Sequence, residues 1–494
     1  MRKFQRAICA LMIVCLMLCM GNFAAIADTS FTNSSKYLNV RSYGAKGDGT
    51  TDDTAAIQKA VNAAKNGQKT VFFPAGFYNV KGSVTVPVGV DIEGITTATC
   101  GAVQNIYDAS DKKLAAGYTS DLFNKDTYYG TWFFVTKTSG KVDEGATFQL
   151  LGDNTVKRVG VVNLMQPPLN SDMLPTAPFI GADINKLQST KGIVIEDISL
   201  HNPYYGIAIY QDSLYHESLA TATASKKLSG KNSGPITIRN IMGCSMYRSI
   251  FVCGANGKVT IENFQSNFSC YGGFANTRAN NEVNVELAAC TNVVMSNALL
   301  FAPWVGVKTT NAYSGSPVNL DATSLNIECE RGAILEACGT QTLRNCYYLL
   351  ATGYSTREQY TCVTINQPKN GTAKSVYNLE NTFFQNAAAG QYFNITLQGG
   401  AEVNINNSSH WLIGKPMIDY KHESGATSTV TVRNMVLLGG SGQVASTGGA
   451  AYKNGELKFE YCRFSGASVS NVASTAKFVD CITGTGTSAK KLSN

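Results

Sequence analysis

The chain has 494 residues, about three times an ordinary single domain, with 44% hydrophobic residues, 15% charged residues and 46 glycines. That balance is too apolar for a disordered chain and too poor in charge for a coiled coil. The formal charge of +7, reduced to +4 without the three basic residues at the N-terminus, is compatible with an anionic partner but falls far short of a nucleic-acid footprint, so no nucleic acid is expected.

Arg2, Lys3 and Arg6 precede an apolar run from Ile8 to Met20, and Ala25-Ile26-Ala27 then offers small residues at a cleavage site. Residues 1–27 read as a signal peptide, and 28–494 as the mature, extracellular chain. The run is too short to span a bilayer comfortably. No stretch of about 18 apolar residues follows it, so no membrane span is expected in the mature protein. Cys9, Cys15 and Cys19 fall in the signal, leaving 11 of 14 cysteines, an odd number that forbids complete intramolecular pairing. No CxxC pair and no zinc-like Cys/His spacing occurs, so no metal site or cofactor is expected.

Residues from about 37 to 95 read as an N-terminal cap. Ala56, Ile57, Ala60, Val61 and Ala64 recur at helical spacing behind Thr51-Asp52-Asp53-Thr54, which suits an N-cap. Asp48, Asp52 and Asp53 could suggest calcium but lack EF-hand spacing. Val71–Gly76 and Tyr78–Val80 then read as strands broken by a Pro/Gly turn.

From residue 193 one pattern recurs: apolar, polar, apolar, polar, Asn or Asp, then a core-type residue. It is read at Ile193–Ile198, Ile236–Ile241, Val259–Phe264, Val293–Asn297, Val403–Asn407 and Val430–Met435, with looser copies ending at Asn345-Cys346, Asn381, Tyr461-Cys462 and Asp480-Cys481. Alternation gives a short strand with one buried face. Asn and Asp tolerate left-handed backbone, so each strand can turn sharply after it. Such strands are stable only when stacked, which predicts an all-β solenoid, a single-stranded parallel β-helix with an N-terminal capping helix. Cys346, Cys462 and Cys481 occupy a core slot and read as buried filling rather than disulfides. Asp197 and Asp480 read as turn residues.

A second strand set recurs at Gly206–Tyr210, Ser249–Cys253, Trp304–Lys308, Ala333–Glu336 and Tyr348–Ala351. With Ile209, Val252, Val307, Leu335 and Leu350 inward, alternation turns Tyr210, Cys253, Lys308, Glu336 and Ala351 outward. The longest interruptions adjoin this column. Gln211–Gly234 carries Asp212, Tyr215, His216 and Glu217; Tyr271–Asn281 carries Arg278; Phe301–Leu320 carries Trp304 and Tyr313. Long loops on a rigid solenoid are the usual place for a site.

The run from Asn39 through Gly44-Ala-Lys-Gly-Asp-Gly-Thr-Thr-Asp-Asp-Thr54 to Val61, with Val71-Phe-Phe-Pro-Ala-Gly76, resembles the opening of the pectate-lyase-like superfamily, in particular the rhamnogalacturonase/epimerase-type β-helix domain. The resemblance implies a right-handed parallel β-helix. It leaves the chemistry open among hydrolases, lyases, epimerases and binding proteins. Polygalacturonase-type hydrolases carry Asn-Thr-Asp, Asp-Asp, Gly-His-Gly and Arg-Ile-Lys. Here none of His201, His216, His410 and His422 lies in Gly-His-Gly, and the one Asp-Asp pair, Asp52-Asp53, belongs to the cap. No residue is carried over as catalytic.

The expectation is a secreted enzyme acting on pectin-like or other uronate-containing glycans, with hydrolysis ahead of elimination. Hydrolysis needs two carboxylates, for which Asp212, Glu217 and Glu336 are candidates. Elimination needs a base and cations, for which Lys308, Arg278, Tyr210 and His216 are candidates; calcium enters only in that version. Tyr210, Tyr215, Trp304 and Tyr313 are candidate faces for sugar rings, and Arg278 and Lys308 candidate partners for uronate carboxylates. The alternative is a noncatalytic, carbohydrate-binding or adhesive β-helix.

Overall fold

The computed structural model describes residues 35–95 (except 68), 130–135, 145–163, 175–211 (except 202), 228, 231–266, 282–311 (except 302 and 303), 316–350, 360–367, 374–386, 391–411, 417–422, 427–438, 444–446, 455–466, 468–469, 476–484 and 488–492. Within them, strands stack in two sheets, a long one of 25 strands and a short one of 12. Among the described residues every strand pairing is parallel except the last, where Lys490–Leu492 runs antiparallel to Cys481–Thr483. This is a right-handed parallel β-helix. One coil is made by Ile193–His201 in the long sheet and Tyr205–Tyr210 in the short one, the next by Ile236–Cys244 and Arg248–Cys253.

Period-two alternation places one residue type at one height in every coil. Ile195 pairs with Val156 and Ile238, Ile238 with Ile261, Ile261 with Met295, and Met295 with Ala322. All six are completely buried. Burying each larger aliphatic in this column contributes about 1.5–3 kcal/mol relative to leaving it exposed.

The left-handed residues form a second column. Asp197, Asn240, Asn263, Asn297, Asn345, Asn381, Asn407, Asn434, Tyr461 and Asp480 all have φ between 50° and 56°. Side chains then bond coil to coil: Asn240 Nδ2 donates to Asp197 Oδ1 at 2.9 Å, Asn263 to Asn240 at 3.0 Å, and Asn434 to Asn407 at 3.0 Å. These bonds offset a left-handed strain of about 1–2 kcal/mol per residue. Arg158 and Ser324 hold the same conformation without the Asn or Asp signal. Cys346, Cys462 and Cys481 are buried free thiols, as expected.

The helix Thr54–Lys65 buries Ile57, Ala60, Val61 and Ala64 against the core, whereas Ala56 is only partly buried. The acidic residues before it divide the work differently from a single N-cap. Asp52 Oδ1 accepts from the Thr54 N–H at 3.0 Å, whereas Asp53 turns away and accepts from the Lys46 and Gly47 N–H groups at 2.6 and 3.0 Å.

The second strand set needs two corrections. Val283–Ala288 is a further strand of the short sheet, lying between Arg248–Cys253 and Val305–Thr310. Tyr347–Leu350 belongs instead to the long sheet, where it pairs with Phe383–Asn386. The outward row that contains Lys308 therefore reads Ala208, Phe251, Glu286, Lys308, Ile334, Thr364, Asn394 and Asp419. Tyr210 and Cys253 lie in the neighbouring row, with Ala288 and Thr310.

Candidate functional site

The outer face of the short sheet is unusual for a solenoid wall because it buries charge. Arg248 and Glu286 form an ion pair with side chains only 1% and 0% exposed. Thr310 Oγ1 donates to the other Glu286 oxygen at 2.6 Å, and Arg248 Nη1 donates to the Tyr247 carbonyl at 2.9 Å. The guanidinium also lies over the Tyr247 ring, 3.7 Å from its centroid, an arrangement favourable to a cation. Tyr247 stacks on Tyr204 at 4.9 Å, with Tyr205 edge-on to both. Burial pushes the Tyr204 and Tyr205 hydroxyls well above their ordinary values, so this wall is made of neutral phenols.

Solvent reaches this row at Lys308. Its backbone pairs with Glu286 on one side and Ile334 on the other, and its Nζ lies 3.5 Å from Glu336 Oε2. The two side chains are 16% and 31% exposed, so the pair sits at the edge between dry wall and water. Glu336 follows the strand Arg331–Leu335, and its N–H donates to the Thr309 carbonyl at 2.9 Å, which fixes its backbone. On the next coils, Arg331 Nη2 donates to Thr364 Oγ1 at 3.3 Å, and Thr364 shares a hydroxyl bond with Thr361. Burial draws the Arg331 guanidinium below its ordinary value, opposed by the charge of Glu336.

Of the expected site residues, the structure brings Lys308 and Glu336 together. Tyr210 and Trp304 are corrected. Tyr210 is 4% exposed and packs with Tyr205, Ala208 and Phe251; Trp304 is 5% exposed and packs with Val283, Val305 and Ile334. Neither presents an open face, because these packed neighbours cover the rings. Asp212, Tyr215, His216, Glu217, Arg278 and Tyr313 lie outside the described residues. Sequence reasoning missed Arg248, Glu286 and Arg331. The available signal was the alternation in Val283-Asn-Val-Glu-Leu-Ala288, which turns Glu286 outward. Among the described residues there is no group of three or more His, Cys, Asp or Glu suited to a metal ion.

Chemically, this part of the face offers a partly exposed carboxylate held by a partly exposed ammonium, backed by a second carboxylate and a guanidinium kept from water. Comparison with known proteins finds similarity over part of the chain to proteins named for sugar polymers. Residues 37–139 match the family model described as rhamnogalacturonase A/epimerase, pectate lyase-like. Alginate lyase 7 of Azotobacter vinelandii is 36% identical over 140 residues, covering 25% of this chain and 16% of the relative. The mannuronan C5-epimerase AlgE4 of the same organism is 33% identical over 140 residues, covering 25% of each. The matches thus span a quarter or less of these curated relatives' length. Among solved structures, the DFA-IIIase of Arthrobacter chlorophenolicus without its lid shares the fold at 9% identity, with a TM-score of 0.51 over 90% of this chain and 98% of that one.

Proposed function

We propose that this protein is an exported enzyme that cleaves uronate-containing polysaccharides on the outer face of the short sheet, by hydrolysis ahead of β-elimination. The observation that carries the reading is the Lys308–Glu336 pair, 3.5 Å apart and partly exposed, on the coils next to the buried Arg248–Glu286 pair. A uronate carboxylate can replace Glu336 as the partner of Lys308, which frees Glu336 to act on water or on a sugar proton. In the hydrolytic version Glu336 is the base or nucleophile, and Asp212 or Glu217 supplies the acid that protonates the leaving oxygen. In the eliminating version Lys308 neutralises the uronate while Glu336 or His216 removes the adjacent proton. Arg278, Tyr215 and Tyr313 are the proposed contacts to flanking sugars. The relatives named for alginate and mannuronan, both uronate polymers, support the substrate class.

The test incubates the full chain with homogalacturonan, rhamnogalacturonan and alginate, following reducing ends and the ultraviolet absorbance of unsaturated products. New reducing ends without that absorbance identify hydrolysis, and both together identify elimination. Binding to these polymers without any cleavage would overturn the enzyme reading in favour of a carbohydrate-binding surface protein.

A further inference from the structure

The long sheet carries a cleft of its own on its outer face. It encloses about 330 Å3 and is lined by Asp91, Asp153, Thr155, Lys191, Pro235 and Thr237 among others. Its wall is an in-register row across coils. Val194 pairs with Thr155 on one side and Thr237 on the other, and Asp91 Oδ1 accepts from the Thr155 N–H at 2.7 Å.

The rim is built from three stacked turns. Gly89, Asp153 and Gly192 all have positive φ, at 73°, 55° and 139°. The Gly89 N–H donates to the Asp153 carbonyl at 3.0 Å, and the Asp153 N–H to the Gly192 carbonyl at 2.8 Å. Beneath them Asn154, 3% exposed, donates Nδ2 to the Pro87 and Val90 carbonyls at 2.7 and 2.8 Å and accepts from the Gly152 N–H at 2.8 Å. The floor is therefore rigid before any ligand arrives, which removes much of the ordering cost of binding. A Cβ on Gly192 would come within 3.0 Å of the Pro235 carbonyl, so the turns approach closely only with glycine there.

We propose that this cleft binds a neutral sugar residue of a polysaccharide, at a site separate from Lys308. The volume lies at the lower end of small-ligand pockets and suits one sugar ring. Two carboxyl groups accept from vicinal hydroxyls, Thr155 and Thr237 add hydroxyls of either polarity, and the exposed Pro235 ring offers an apolar face. Lys191 is already paired with Asp153 at 3.1 Å, so the lining has one carboxyl in excess. That balance repels a uronate and admits a neutral sugar. Burial raises the Asp91 carboxyl above its ordinary value. The cleft would hold neutral units of a mixed polymer while its uronates run elsewhere.

The test titrates the full chain by calorimetry with cellotetraose, xylotetraose, mannotetraose and galactotetraose, and with trigalacturonate. At least one neutral tetrasaccharide is expected to bind in the millimolar range or tighter, about 4 kcal/mol or more. Thr237→Trp, which fills the cleft from a half-exposed position, and Asp91→Asn should each weaken it about tenfold. Lys308→Ala should leave it unchanged. Melting curves check that each variant is folded. No neutral saccharide bound at about 10 mM, unchanged affinity in both cleft variants, or loss of binding in Lys308→Ala would overturn the proposal. No arm uses turnover, so its failure is distinct from failure of the enzymatic reading.

Discussion

Arg248 and Glu286 meet across neighbouring coils on the outside of the solenoid, yet water reaches neither side chain. Taking two charges out of water is costly, and their attraction offsets that cost only while both are present. Replacing one, as in Glu286→Gln or Arg248→Met, should therefore destabilise the protein by about 3–5 kcal/mol, read as a lower denaturation midpoint. The double replacement by apolar residues should recover most of the loss. A single variant as stable as the parent would show that the pair is not desolvated.

Lys308 and Glu336 should behave in the opposite way. Their pair is partly exposed and worth no more than about 1 kcal/mol, so Lys308→Ala and Glu336→Gln should melt nearly as the parent does. If they act on substrate, each should lower turnover of the responsive uronate polymer by about a hundredfold or more. Full activity in both would move the chemistry off this part of the face.

The asparagine column predicts a graded series. Asn263, at φ 52°, donates to Asn240. Asn263→Ala loses the bond and keeps the left-handed backbone, and should cost about 1–2 kcal/mol. Asn263→Gly loses only the bond and should cost less, because glycine adopts that backbone freely. Chemical denaturation of the three proteins orders them; an alanine variant as stable as the glycine one would contradict the strain argument.

His201 gives the fold a dependence on acid. It is 1% exposed, and burial lowers its ring from 6.5 to about 3. The unfolded chain takes up this proton first as pH falls, so the stabilisation is complete above about 6.5 and declines below it. By pH 5 the loss from this group is about 2 kcal/mol, and it continues until the folded protein is protonated near 3. Melting temperatures between pH 7 and pH 5 should fall more steeply for the parent than for His201→Leu. Equal slopes would remove His201 from the account.

The repeating part of this architecture was readable because two local rules coincide in it. Ile195, Ile238 and Ile261 alternate with polar residues, and the Asn or Asp two positions later supplies the turn, so each coil announces itself. Arg158 and Ser324 escaped because neighbouring coils impose their backbone, not their own side chains. The outer face of the short sheet was harder. Glu286 alternates as a solvent-facing residue would, and nothing local distinguishes a wetted carboxylate from one sealed against Arg248. Without the strand Val283–Ala288, the sequence pattern sets Lys308 beside Tyr210 and Cys253, one row from its true neighbours Glu286 and Ile334. Tyr210 and Trp304 look like sugar platforms by composition, but what covers them is a tertiary fact.

The reversed strand Lys490–Leu492 has a bearing on how the molecules behave in a crowd. A pile of parallel strands leaves an open hydrogen-bonding rim at its far end, onto which the first strand of another copy could add, and then another, as in a growing fibre. Here the rim of Cys481–Thr483 is met by a strand of opposite direction that carries Lys490 and Lys491. Its direction and charge both discourage a second copy from docking, so shortening the chain to residue 487 should favour filaments.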